Sequence, residues 1–180
     1  MRSRLSLTAL ALVAGLAGAP CSALAQSGEQ GSAEATKVLA SEGAGFNTAA
    51  VQSLLNRGDA AVASGNLEQA RKDYDTARAA SKQLLAFYRD LSGAFRGLDA
   101  RIPREMDTKG RAALGLLAES NLRLAALFRR QNQPEVAVPV LVEVVRLMTP
   151  SNPQGQKAYQ SLLELGFVET PFSAAKVGGN

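Results

Sequence analysis

With no histidine, no tryptophan and a single cysteine, this 180-residue chain lacks the usual proton shuttle and is poor in thiolate nucleophiles and zinc ligands. Its net charge is +4, and Arg2 and Arg4 supply half of it. A balance that small, without interleaved aromatic and basic residues, argues against nucleic acid and against an anionic membrane as partners.

The first stretch reads as an address. Arg2 and Arg4 precede an apolar run over residues 5–19, and Ala23, Leu24 and Ala25 supply a small-residue end. That is the three-part design of a secretory signal, with cleavage expected after Ala25. The run is too short and too rich in glycine for a membrane span, so no integral span is expected in the mature chain. Pro20 stands where lipidation of Cys21 would need a small residue, so Cys21 is expected to leave with the signal peptide. About 155 residues then remain, enough for one domain with its own core. Lacking cysteine, they must be held by packing alone. The expected compartment is the periplasm, or the thylakoid lumen if the source is photosynthetic.

Residues 26–45 are rich in Ser, Gly, Glu and Ala and read as a leader that cannot bury enough surface to order itself. A single helical domain is expected over 46–168, with a tail over 169–180. Its first helix runs from an Asn47 cap to Ser64, with Val51, Leu54, Leu55, Gly58, Ala61 and Val62 on one face. Gly65 can take the left-handed conformation that ends it, and Asn66 can cap the second. That second helix carries Leu67, Ala70, Tyr74, Ala77, Leu84, Leu85 and Tyr88 at three- and four-residue spacing and is expected to reach Phe95.

A third helix is expected over 103–130, with Pro103 as its first residue and Gly110 and Gly115 as points where it breaks or packs closely. Pro134 opens a fourth, valine-rich helix that is apolar around much of its circumference, so it is expected to be the most buried. Asn152 and Pro153 open a fifth, closed by Gly166. Phe167 and Phe172 are expected to anchor the exit of the chain.

The hairpin around Gly65 and Asn66 resembles a tetratricopeptide (TPR) repeat. Gly58, Ala70, Tyr74 and Ala77 fall where that family places its small and aromatic residues. Asn56 and Arg57 depart from the pattern before Gly58, Ala61 stands in place of a tyrosine, and no proline closes the unit. A fainter copy lies 67 residues on, in Ala125, Phe128, Ala137, Leu141 and Val144, with Thr149 and Pro150 near the closing position. The fold expected is all-α, built of TPR-like antiparallel hairpins, and the alternative is a closed antiparallel bundle.

The resemblance implies an inner groove lined from the first helix of each hairpin. Carried over, it gives Gln52, Asn56 and Asp59 from one hairpin and Glu119, Arg123 and Arg130 from the other as partner-binding residues. They do not reproduce the lysine-rich clamp by which some family members hold a carboxyl terminus. The neighbouring acids Asp73/Asp75 and Glu105/Asp107 sit two apart, so neither pair shares a helix face for acid–base work. No phosphate-cradling glycine loop and no calcium loop is present, so no catalytic residue, cofactor or metal is expected. A mixed-charge stretch from Arg89 to Arg111 reads either as an electrostatic contact surface or as solvated ion pairs.

The function expected from these features is an exported, non-catalytic protein-binding scaffold that assists a larger complex. The alternative is a structural helical-bundle subunit docked on a periplasmic or lumenal complex. Another protein or a peptide segment is the expected partner, and self-association is a further way to cover exposed faces.

Overall fold

The computed structural model describes residues 46–172; the signal, the leader and all of the tail after Phe172 lie outside them. Five helices and no strand occur among the described residues: α1 (Thr48–Ala63), α2 (Leu67–Ala94), α3 (Arg101–Arg130), α4 (Pro134–Met148) and α5 (Pro153–Glu164).

Local chemistry sets their ends. Asn47 Oδ1 accepts from Ala50 N at 2.7 Å, Asn66 Oδ1 from Gln69 N at 3.1 Å, and Asn152 Oδ1 from Gln154 N at 2.9 Å. Each satisfies one amide that a helix start leaves open. Three helices stop alike. The N–H of Gly65, Asn132 and Gly166 bonds the carbonyl three residues back, and the next N–H reaches five back. All three residues have positive φ, at 80°, 58° and 75°. This is the Schellman stop, which needs a left-handed residue that glycine or asparagine supplies at least cost.

Each helix packs mainly on its neighbours in sequence, α2 on α3 most extensively, with lesser contacts of α1 on α3 and α3 on α5. The odd helices therefore form one layer and α2 with α4 the other. Among the described residues, α1 makes no contact of that extent with α4 or α5. Ion pairs tie each layer: Asp59 to Arg123 and Arg129 to Glu164 across the odd helices, Glu143 to Arg78 and Lys82 across α2 and α4.

Small side chains allow the close approach. Gly58 on α1 faces Tyr74 on α2, and a Cβ there would fall 2.6 Å from Tyr74 Cδ1. Ala70 and Ala77 are fully buried beside it. In the second hairpin Ala125 lies buried with Ala137, Leu141 and Val144, and Arg71 stacks over Phe128 at 5.3 Å.

Three expectations are corrected. α3 runs unbroken through Gly110 and Gly115, and it begins two residues before Pro103. The cost of two glycines, about 1 kcal/mol each, is small beside the packing of a 30-residue helix. The valine-rich α4 is not the most buried element. It leaves Val136 and Val142 exposed, whereas α3 carries the largest set of buried side chains because it has helices on several sides. Phe167 is exposed and does not anchor the exit; Phe172 instead meets Tyr159 edge-on at 6.3 Å, and the Tyr159 hydroxyl donates to Thr170 O at 2.8 Å.

Candidate groove on the odd-numbered helices

A groove of about 690 Å³ opens on the odd-helix layer. Leu122, Ala125 and Ala126 of α3 and Leu141 of α4 contribute its apolar surface. Its polar walls come from α1 and α3 on one side and α5 on the other, the last through Gln154, Lys157, Gln160 and Glu164.

One network braces the α1–α3 wall. Arg123 Nε donates to both carboxylate oxygens of Asp59, at 3.0 and 3.2 Å, and Nη1 pairs with Glu119 at 2.9 Å. The Tyr74 hydroxyl reaches out of the first hairpin's core to donate to Asp59 Oδ1 at 2.6 Å. Partial burial works against ionisation of Asp59, but the hydrogen bonds from Arg123 and Tyr74 outweigh it and hold the carboxyl below its usual range. Burial, with the anionic Asp59 beside it, pushes the Tyr74 hydroxyl well above its ordinary value, so it stays a donor. Arg123 remains charged: burial opposes this, and its two carboxylate partners prevail.

On the α3–α5 side, Arg129 pairs with Glu164 at 3.0 Å and Gln154 Nε2 donates to Gly115 O at 3.2 Å. These bonds fix α5 as a groove wall. Lys157 projects from it with no carboxylate in ion-pair range among the described residues.

Of the six residues expected at the groove, Asp59, Glu119 and Arg123 converge in this one network. Gln52 and Asn56 do not line the cavity; they bond each other along α1 at 3.0 Å. Arg130 lies beyond the groove's end, in a shallow depression with Ala126 and Arg129. The whole α5 wall went unforeseen, because α5 carries no hairpin signature. A signal was nevertheless present: Gln154, Lys157, Gln160, Ser161 and Glu164 recur at three- and four-residue spacing, flanking the buried Ala158 and Leu162.

No group of three or more acidic, histidine or cysteine side chains able to hold a metal occurs among the described residues, and no described helix is long and apolar enough to cross a membrane. Of the four acids in the two neighbouring pairs, Asp73 is buried against Arg57 and Gln69, Asp75 lies 3.7 Å from Arg71, Glu105 pairs with Lys109 at 2.6 Å, and Asp107 accepts from Ser92 at 2.8 Å. No protein-family model, curated protein or solved structure matches this chain.

Proposed function

We propose that this chain is an exported, non-catalytic, TPR-like scaffold whose odd-helix groove holds a segment of another protein and so helps a larger complex assemble or persist. The observation that carries the reading is the groove itself. Four helices line it, with α4 contributing only Leu141; its apolar floor is continuous with the core, and its charges are mostly paired with one another. Paired charges position side chains without presenting a strong field, which suits a polypeptide better than a small ion. Stacked helical hairpins offer this kind of surface to extended or helical segments. The signal-like first 25 residues support export.

A photocrosslinking residue at Gln160, in the groove, is compared with one at Val142, on the exposed side of α4, using the exported fraction. The reading expects a discrete adduct from Gln160 alone, weakened by Lys157→Glu. Equal labelling from both positions, or none from Gln160, overturns it. Mass measurement of the exported form should place its first residue at Gln26.

A further inference from the structure

The two longest helices do more than carry the groove. At 1.5 Å per residue α2 and α3 run about 42 and 45 Å, against about 24 Å for α1. α1 begins beside Phe87, where Phe46 meets that ring edge-on at 5.9 Å. Past that point the end of α2 and the start of α3 form an arm, with Ser92, Met106 and Gly110 buried between them. A pocket of about 280 Å³, separate from the groove, lies on this arm.

Its chemistry is amphipathic. Leu85, Tyr88, Met106 and Leu114 supply apolar lining, and the side chains of Arg89, Arg96 and Arg111 stand around it. The mixed charges of the arm sort themselves out locally. Arg101 takes Asp99 at 2.7 Å and Lys109 takes Glu105 at 2.6 Å. None of the three lining arginines has a carboxylate in ion-pair range among the described residues, and Arg111 reaches only the Thr108 hydroxyl, at 3.1 Å. One acid, Asp107, also lines the pocket, and it is engaged by the Ser92 hydroxyl. Cations therefore exceed acids at the site by two.

Gly110 is the second observation. It is buried, yet a Cβ there would make only ordinary contacts, 3.7 Å to Tyr88 Cβ and 4.0 Å to Leu85 Cδ1. Close packing does not demand glycine, and glycine costs a helix interior about 1 kcal/mol relative to alanine. An added methyl would lie beside Tyr88 and Leu85, two of the residues that line the pocket.

We propose that this pocket is a binding site for a small carboxylate amphiphile, with its alkyl tail against Leu85, Tyr88 and Met106 and its head among Arg89, Arg96 and Arg111. Octanoate, a carboxylate on a short alkyl chain, is the simplest molecule with both features. Guanidinium groups are suited to carboxylates because their paired N–H groups match the two oxygens.

Calorimetric titration of the mature protein with sodium octanoate tests this, alongside 1-octanol, which has the tail without charge, and acetate, which has charge without the tail. A single octanoate site is expected, at least tenfold tighter than either control and weakened by added salt. Arg96→Gln with Arg111→Gln, both on exposed side chains, should weaken octanoate about tenfold with unchanged helicity. Gly110→Ala should hold or raise the melting temperature while weakening octanoate about threefold. Absence of octanoate binding up to millimolar concentration overturns the proposal. So does octanol binding as tightly as octanoate, which would mean an apolar patch only, or Gly110→Ala leaving the affinity untouched. Crosslinking from Gln160 is indifferent to all of these variants, so the two sites stand or fall separately.

Discussion

The α1–α2 and α3–α4 hairpins turn their corners with the same hydrogen bonds, 67 residues apart, yet are closed by different side chains. Asn66 N bonds Ala61 O at 2.8 Å, and Gln133 N bonds Phe128 O at 2.9 Å; Ala70 and Ala137 follow each turn fully buried. Between the helices, Gly58 against Tyr74 becomes Ala125 with Leu141. The ion pair of Arg57 with Asp73 becomes Leu124 with Val140, and Asp59 becomes Ala126. Position in the array explains the change. The first hairpin is at an edge, so the Arg57 side chain stays 62% exposed and keeps much of its hydration. The α3–α4 hairpin has α2 and α5 on its flanks, and there Leu124 and Val140 are buried. An ion pair in that setting would lose water on both partners, a cost that apolar residues avoid. The turn and one small residue set the backbone approach, and exposure then decides which chemistry fills the gap.

Moving residues between the hairpins breaks or sharpens the comparison. Gly58→Val should have the largest effect, about 3 kcal/mol of destabilisation, because the added carbons meet the Tyr74 ring. Thermal unfolding followed by circular dichroism should show a fall of about 10 °C.

Arg57→Leu should come next, at about 2 kcal/mol at neutral pH, since Asp73 is only 4% exposed and would keep one hydrogen bond, from Gln69. Adding Asp73→Val to it, which copies Leu124 and Val140, should recover most of the loss. The pH dependence is a further check. Arg57 is the main reason the Asp73 carboxyl sits below its usual range, with burial opposing it. A group lowered in the folded state contributes stability above its unfolded value, about 3.9, and that stability disappears as pH falls through the folded value. Urea unfolding should therefore show the native chain losing stability below about pH 4, and the double variant losing less.

The turns should respond more weakly. Gly65→Ala costs about 1 kcal/mol because φ is +80° there, whereas Asn132→Gly changes stability by a few tenths at most. Asn121 offers an effect of opposite sign. It is fully buried, neither amide atom has a partner among the described residues, and it occupies the place that Leu54 holds in the first hairpin. Asn121→Leu should stabilise by up to about 1 kcal/mol, read by chemical denaturation.

The parts of the fold that were legible in sequence are those decided within one or two turns of chain. The three asparagine caps, the Gly65 corner and the three- and four-residue apolar spacing all act locally, and all reappear in the structure. What was not legible depends on how many neighbours an element has. Val136 and Val142 look like core residues by composition, but α4 presents them on a side no described helix covers. Gly110 and Gly115 read as points of breakage or of close packing, but the helix runs through both and neither is crowded. At the groove, Asp59, Glu119 and Arg123 were found because they belong to the repeating hairpins. Lys157, Gln160 and Glu164 were not, because only the return of α5 onto α3 brings them there.

The first hairpin and its part in the groove rest on Gly58 and Tyr74 meeting, since that contact sets the spacing of α1 and α2 and sends the Tyr74 hydroxyl to the groove wall. The most direct measurement is a double-mutant cycle in unfolding free energy over Gly58→Ala and Tyr74→Leu, the pair already present as Ala125 and Leu141. A coupling of about 1.5 kcal/mol or more is expected, with the double variant more stable than the Gly58→Ala single. Additivity within about 0.5 kcal/mol would mean the two residues do not touch, and the hairpin described here would be wrong.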